Sequence, residues 1–175
     1  ILNNLKASAG IDIKLLQHAC NQGVAAARNT LLSAATGDYL WFIDPDDTLS
    51  QGAASCLKKI IASHSPDLIM CDYKRWRPEA DSQSARENHL ATFDGPPRVL
   101  LDDQELLFKG IYGKGRMHIW SKISRRSLWD AELLFPEGRY FEDVALVPRL
   151  ALRVHDFFYQ DSVWIYYRQR TGSII

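Results

Sequence analysis

Hydrophobic spacing in the first half of the 175-residue chain switches between the period of helices and the short apolar runs typical of strands. The order strand, helix, strand, helix, strand predicts right-handed crossovers, and therefore an α/β fold with a mostly parallel sheet flanked by helices. The predicted strands are 12–16, 38–44 and 66–76. The predicted helices are 21–37 and 50–64, which Gly37 and Ser50 respectively are expected to cap.

Apolar residues at helical spacing support both helix predictions. On the first helix, these residues are Val24, Ala27, Leu31 and Ala34. On the second helix, Ala53, Ala54, Leu57, Ile60 and Ile61 line one face.

The second half of the chain is less regular. The stretch 77–97 is polar with few apolar anchors, which predicts a loop or a loose hairpin. The elements predicted after it are a helix over 102–113 capped by Asp102 or Asp103, a helix over 141–154, and one or two strands over 156–170. Pro148 lacks a backbone N–H, so we expect it to kink the helix over 141–154 or to delay its start.

Composition is ordinary for a globular protein, with 46% hydrophobic and 24% charged residues and a formal net charge of zero. A neutral chain has no overall field that would recruit nucleic acid, so we expect no nucleic-acid partner. No apolar run approaches the roughly 20 residues of a membrane span. Cys20, Cys56 and Cys71 form no Cys-x-x-Cys pair and lie in apolar stretches, which indicates buried reduced thiols and a cytoplasmic protein.

The start of the chain is unusual for an α/β domain, which normally opens with an apolar strand. Here a short amphipathic piece comes before the predicted strand 12–16. We therefore expect that an upstream portion of the domain is absent and that the fold is incomplete at its N-terminus.

Three carboxylates follow the predicted strand 38–44, in the sequence "YLWFIDPDD". In an extended segment side chains alternate, so Asp44 and Asp46 are expected on one side and Asp47 on the other. Two oxygen ligands at the carboxyl end of a strand suit Mg²⁺ or Mn²⁺. The alternative, which this segment alone favours, is an ordinary acidic turn before a helix.

The surrounding sequence resembles the family-2 glycosyltransferases of the GT-A fold. "NQGVAAARN" and "GDYLWFIDPDD" match that family's N-x-G-x-x-x-A-R-N and G-x-Y, D-x-D-D motifs. The matching residues are Asn21, Gly23, Ala27, Arg28, Asn29, Gly37, Tyr39, Asp44, Asp46 and Asp47. Downstream, "IWSK", "FPEG" and "FED" resemble its later segment, and "YYRQRTGSI" resembles its C-terminal tail. The family's first strand, and the strand that carries its Asp-Asp-Gly-Ser-like turn, have no counterpart here.

The resemblance implies a single GT-A-like (Rossmann-like) domain over 1–175, in which 1–76 binds donor and metal and 77–175 binds the acceptor and supplies the catalytic base. It implies that the protein transfers a sugar, with inversion, from a nucleoside-diphosphate sugar to a glycan or a lipid-linked acceptor. A UDP-sugar is the expected donor. The setting would be bacterial cell-surface polysaccharide or lipopolysaccharide synthesis, in the cytoplasm or at the inner face of the membrane.

The resemblance also implies residue roles. The donor-binding residues would be Gly23, Arg28, Asp44, Asp46 and Asp47. Asp46 would bind Mn²⁺ or Mg²⁺, and Arg28 would pair with a phosphate or with one of the carboxylates. Asp143, with Glu142 second, would deprotonate the acceptor, and its place at a helix N-terminus favours the ionised form.

Aromatic and basic side chains complete the implied site. Trp120 would stack on the acceptor sugar, unless it is a core residue, and Arg168 and Arg170 would close over the diphosphate. His118 and His155 lack metal-ligand spacing. Two other functions stay open: a sugar-phosphate nucleotidyltransferase, whose Gly-rich N-terminal phosphate loop is not visible, and a non-catalytic scaffold domain of the same fold.

Overall fold

A computed structural model of the chain describes residues 12–76 and 89–169. The α-helices in these residues are α1 (Gly23–Ala34), α2 (Ala53–His64), α3 (Gln104–Lys114) and α4 (Glu142–Ala151). The strands are β1 (Tyr39–Trp41), β2 (Thr48–Leu49), β3 (Leu68–Trp76), β4 (His89–Leu90), β5 (Leu100–Leu101), β6 (Lys122–Arg125) and β7 (Phe157–Arg168). Short 3₁₀ turns at Ile119–Ser121 and Arg126–Leu128 flank β6.

The strands form one mixed sheet with the order β1-β6-β3-β7-β2, to which β4 is added beside β3 and β5 beside β7. The predicted α/β class is confirmed, but the prediction of a mostly parallel sheet is wrong for the described strands. Only β3 and β7 pair in parallel, from Leu68 opposite Phe157 to Trp76 opposite Arg168. The β1 and β3 strands run in the same direction, yet β6 lies between them and is antiparallel to both.

The core lies on both faces of the sheet, because alternate residues of β3 and β7 point in opposite directions. On one face, Leu68, Met70 and Phe157 belong to a cluster with buried residues of α1, α3 and α4. On the other face, Ile69 and Phe158 belong to a cluster with α2. The two helical layers therefore make β3 the buried centre of the molecule.

The first helix buries one side. Its buried residues are Ala25, Ala26 and Arg28, whereas Val24 and Leu31 are about half exposed. This orientation turns the Arg28 side chain inward.

Both predicted caps of the first two helices also differ from the structure. The α1 helix ends at Ala34 and its C-cap is Ala35, so Gly37 is not the cap. The N-cap of α2 is Gly52, whose φ of 85° requires the left-handed region that glycine adopts without strain. Ser50 contributes its carbonyl oxygen, which accepts the N–H of Ala53, rather than its side chain.

Several local predictions are confirmed. Asp103 caps α3 by accepting the N–H of Leu106 at 2.9 Å. The α4 helix contains Pro148 and begins at Glu142, so the proline does not delay its start. The predicted final strand is one strand, β7. By contrast, residues 12–16 form no strand.

The predicted polar loop over 77–97 is only partly described, because residues 77–88 lie outside the described residues. His89 and Leu90 form β4, and Thr92 and Phe93 are buried. The expectation of buried thiols holds for Cys71 but is wrong for Cys20, which is exposed, while Cys56 is half-buried. None of the helices within residues 12–76 and 89–169 is long and apolar enough to cross a membrane.

Candidate active site

The three carboxylates after β1 lie on a tight turn. The N–H of Asp47 donates to the carbonyl oxygen of Asp44 at 3.1 Å, and Pro45 supplies the fixed φ that the second position of such a turn favours. The chain is therefore no longer extended here, and the predicted alternation of the three side chains does not apply. Each carboxylate instead has a different environment.

Asp44 and Asp47 are both held by other elements of the fold. Asp44 Oδ1 lies 2.9 Å from a guanidinium nitrogen of Arg28, and Asp47 Oδ1 accepts the backbone N–H of Arg168 at 3.0 Å. The other oxygen of Asp47 is buried without a hydrogen-bond partner. Burial, with the neighbouring charges of Asp44 and Asp46, raises the pKa of Asp47 to about 6.

Asp46 differs from its neighbours. Its carboxylate makes no hydrogen bond and no ion pair within the residues that the structure describes, and it is half-buried. A carboxylate that the protein does not engage is free to bind a cation. Binding of a metal ion by Asp46 stays a prediction.

Arg28 joins the acidic turn to the start of α4. Its side chain is nearly buried and binds three carboxylates: Asp44 at 2.9 Å, Glu142 at 2.7 Å and Asp143 at 3.0 Å. Of the two predicted roles for Arg28, the structure therefore shows the pairing with carboxylates. A single guanidinium brings together residues that are 16, 114 and 115 positions away in the sequence.

Asp143 is held from two sides at the N-terminus of α4. Its Oδ1 binds Arg28, and its Oδ2 accepts the backbone N–H of Ile119 at 3.1 Å. Burial raises the pKa of Asp143, although Arg28, the Ile119 N–H and the charge of Lys122 oppose the rise. The sequence predicted that the helix terminus would favour the ionised form, but desolvation is the larger effect.

Trp120 does not present a face to a ligand. It is buried, with His118 stacked on one side at 4.6 Å and 8° between ring planes, and Tyr167 stacked at 5.6 Å and 11°. Tyr73 packs edge-on against Trp120 at 4.8 Å. The prediction that Trp120 stacks on an acceptor sugar is therefore wrong, and the alternative that it is a core residue is correct.

The exposed aromatic rings near the carboxylates precede α4 directly. Tyr140 is 80% exposed and Phe141 is 67% exposed. Phe141 is the N-cap of α4 and has a φ of 59°, a left-handed conformation that is unfavourable for a bulky side chain. Sequence reasoning missed both residues, although "RYFED" places them beside the acidic pair.

Two motif residues have evident structural roles. Gly23 begins α1 with a φ of 87°, which requires glycine, and its N–H donates to Asn21 Oδ1 at 2.9 Å. Asn29 clamps the backbone of Phe135, donating to its carbonyl at 3.0 Å and accepting its N–H at 2.9 Å. Binding of a donor by Gly23 stays a prediction.

His118 and His155 belong to no cluster of potential metal ligands in the described part of the chain. Within the described ranges, no group of three or more His, Cys, Asp or Glu side chains could hold a metal ion. Burial, with the charges of Lys122, Arg116 and Arg75, lowers the pKa of His118 to about 4, and its ring stacks on Trp120.

Two curated bacterial proteins are similar in sequence to this chain. GlyA, a glycosyltransferase of Streptococcus pneumoniae serotype 4, is 27% identical over 160 residues, which cover 88% of this chain and 22% of GlyA. EpsH of Bacillus subtilis strain 168 is 29% identical over 164 residues, which cover 90% of this chain and 45% of EpsH. The chain thus spans less than half the length of either relative.

Solved structures of TarS from S. aureus are similar in fold. The complex of TarS 1-349 with UDP-GlcNAc superimposes with a TM-score of 0.73 at 21% identity, covering 98% of this chain and 46% of TarS. The complex with UDP gives the same TM-score at 20% identity. This likeness confirms the predicted GT-A-like fold.

The family model described as Glycosyl transferase family 2 matches residues 1–126, which is well over half of the chain. The match includes the acidic turn after β1, Arg28 and the β6 strand. It confirms the resemblance that the Asn-x-Gly and Asp-x-Asp-Asp motifs indicated. The chain belongs to glycosyl transferase family 2.

Proposed function

We propose that the protein transfers a sugar from a nucleoside-diphosphate sugar to an acceptor hydroxyl, with inversion at the anomeric carbon. The observation that carries the proposal is the Arg28 cluster, in which one guanidinium holds Asp44 of the acidic turn and Asp143 of α4. Asp46 beside them has no hydrogen bond or ion pair within the described residues. Family membership and the UDP-GlcNAc complex of TarS support a UDP-sugar as the donor.

On the donor side, Asp46 would hold Mn²⁺ or Mg²⁺. Such an ion would supply positive charge that stabilises the leaving diphosphate. Asp44, fixed by Arg28, would contact the donor beside it. Asp47 is tied to the backbone of Arg168, so it links the acidic turn to the end of β7, where Arg168 would approach the diphosphate.

On the acceptor side, Asp143 would act as the general base. The acceptor oxygen forms a bond to the anomeric carbon while the bond from that carbon to the diphosphate oxygen breaks, and Asp143 takes the hydroxyl proton. Burial raises the pKa of Asp143 above its ordinary value, which makes it a stronger base than an exposed aspartate. Glu142, which also forms an ion pair with Arg28, holds the guanidinium in place.

The acceptor would rest against exposed aromatic rings rather than Trp120. Tyr140 and Phe141 precede the base directly and present open faces that suit the apolar CH surface of a sugar. A glycan or a lipid-linked sugar would both supply such a surface. The similarity to the bacterial glycosyltransferase GlyA supports sugar transfer. We propose that the setting is bacterial surface polysaccharide or lipopolysaccharide synthesis, in the cytoplasm or at the inner face of the membrane.

Isothermal calorimetry with UDP and Mn²⁺, followed by a transfer assay, tests the proposal. Asp46→Ala should abolish metal-dependent UDP binding, whereas Asp143→Asn should keep binding and lose transfer. The two variants control for each other, because each should affect one step only. Unchanged UDP binding in Asp46→Ala would refute the role of Asp46 as a metal ligand. An active Asp143→Asn variant would show that another residue is the general base.

Two outcomes would favour the other functions. No heat with any nucleoside diphosphate, with or without Mn²⁺, would favour a scaffold domain. Formation of a nucleotide sugar from a nucleoside triphosphate and a sugar phosphate, with release of pyrophosphate, would favour a nucleotidyltransferase.

A further inference from the structure

Lys122 is an ammonium group in the centre of the molecule. The residue is 1% exposed at the start of β6, a position where lysine is rarely found. Its Nζ donates to the carbonyl oxygens of Arg116 at 2.7 Å and His118 at 3.0 Å, and to the hydroxyl of Ser121 at 3.3 Å. These contacts use all three N–H groups of the ammonium, and none of the acceptors is a carboxylate.

All three acceptors belong to the 116–121 turn, which connects α3 to β6. The same turn supplies the N–H of Ile119 that holds Asp143 Oδ2 at 3.1 Å. It also carries Trp120, whose carbonyl oxygen accepts the indole N–H of Trp41 at 2.8 Å. A side chain without a donor at position 122 would remove the partner of the Arg116 carbonyl oxygen, whereas the His118 carbonyl would keep the Ser121 hydroxyl, which also donates to it at 2.9 Å. Loss of a partner at a partly buried carbonyl is costly. The ammonium therefore holds the turn in the shape that reaches Asp143.

We propose that Lys122 is a positioning residue for sugar transfer: its ammonium folds the 116–121 turn so that the Ile119 N–H holds Asp143, and its positive charge helps to keep that buried carboxylate ionised. The proposal deepens the proposed function, because it rests on Asp143 as the base. Lys122 itself would touch neither donor nor acceptor.

The charges around the two groups support this role. Asp143 faces Arg28, Glu142 and Lys122; the two cations and the Ile119 N–H lower its pKa, while burial and Glu142 raise it. Burial lowers the pKa of Lys122 to about 8, against the opposing charge of Asp143. Lys122 is then mainly protonated at neutral pH and loses its proton as the pH rises through about 8.

An NMR titration of the Asp143 carboxyl carbon tests the proposal without a transfer assay, so that failure of the proposed function would not obscure the result. In Lys122→Met, the pKa of Asp143 should be higher than in the wild type, and the Ile119 amide should exchange faster with solvent. Lys122→Arg keeps the charge and should restore part of the wild-type pKa. An unchanged Asp143 titration together with a protected Ile119 amide in Lys122→Met would overturn the proposal.

A matched control separates charge from packing. The Cys71 thiol contacts the carbonyl oxygen of Ser121 in the same turn, at 3.6 Å, and carries no charge at neutral pH because burial raises its pKa. Cys71→Ala should therefore leave the Asp143 titration as in the wild type. Equal shifts in Cys71→Ala and Lys122→Met would mean that packing alone is responsible, and would refute the electrostatic role.

The wild-type protein offers a second measurement in case Lys122→Met does not fold. The Ile119 amide and the Asp143 carboxyl should both show a chemical-shift step near pH 8, where Lys122 loses its proton. Absence of that step from both signals would overturn the proposal. Where transfer is measurable, kcat in Lys122→Arg should fall while UDP affinity stays unchanged.

Discussion

Replacing Arg28 by methionine would remove the cation that joins three acidic side chains and would keep much of its aliphatic bulk. The guanidinium lies 2.7 Å from Glu142, 2.9 Å from Asp44 and 3.0 Å from Asp143. Without it, these carboxylates would repel one another at neutral pH in a site that excludes most water. We expect the folded state to lose stability for that reason.

The size of the loss follows from how well each carboxylate can recover water. Removing one partner of a buried ion pair costs about 3–5 kcal/mol. The Asp44 side chain is 30% exposed and can be hydrated, whereas those of Glu142 and Asp143 are only 12% and 15% exposed. The three contacts do not add, because a freed carboxylate can also take up a proton. We expect Arg28→Met to lower the free energy of unfolding by about 3–5 kcal/mol near pH 7.

The loss should depend on pH in a defined direction. Arg28 is the largest of the influences that lower the pKa of Asp143, so its removal raises that pKa further. A carboxyl with a higher pKa in the folded than in the unfolded state makes the folded state bind more protons, and stability rises as the pH falls through the folded pKa. The deficit of Arg28→Met should therefore shrink between about pH 7 and about pH 5.

Urea unfolding, followed by the fluorescence of the five tryptophans, measures these changes. Arg98→Met is the matched control, since Arg98 pairs with Asp161 at 2.7 Å but its side chain is 62% exposed. That control should cost less than about 1 kcal/mol. The reasoning is refuted if Arg28→Met loses no more stability than Arg98→Met, or if its deficit is the same at both pH values.

Two further predictions concern packing and pH. A methyl group at Gly110 would collide with the Phe93 ring, so Gly110→Ala should cost about 1–3 kcal/mol in urea unfolding. Gly113→Ala on the same helix should raise the free energy of unfolding by about 0.5–1 kcal/mol, because the nearest atom to the added methyl is Asp94 Oδ2 at 3.5 Å. Equal changes in stability for the two variants would contradict the close contact between Gly110 and Phe93. Burial raises the pKa of Asp47 to about 6, so wild-type stability should rise as the pH falls through that value. Asp47→Asn should flatten this part of the stability curve, and an unchanged curve would show that Asp47 does not titrate there.

Local pattern was sufficient for elements whose cause is local. The α2 helix and the β3 strand lie close to the predicted 50–64 and 66–76, because hydrophobic period and chain breakers act over a few residues. The Asp103 cap of α3 was predicted for the same reason. The caps at Gly37 and Ser50 were wrong because neighbouring residues could also end or begin the helix, and sequence alone does not choose between them.

The arrangement of the sheet could not be predicted in the same way. Periodicity indicates a strand and its crossover, but it does not say which later strand will pair with it. The β6 strand inserts between β1 and β3 and makes most of the sheet antiparallel. Likewise, Trp120 is buried by contacts with His118, Tyr167 and Tyr73. Tyr73 lies on β3 and Tyr167 on β7, and these two strands pair only in the folded sheet.

The sequence by itself determined the α/β class, the family, and which carboxylates could do chemistry. It determined them because motifs and hydrophobic periods are short-range properties. Only the tertiary structure distinguished those carboxylates. Arg28 holds Asp44 and Asp143, and the end of β7 holds Asp47, whereas Asp46 has no hydrogen bond or ion pair to the part of the chain that the structure describes. That distinction depends on burial and on contacts between residues more than one hundred positions apart, which no local pattern records.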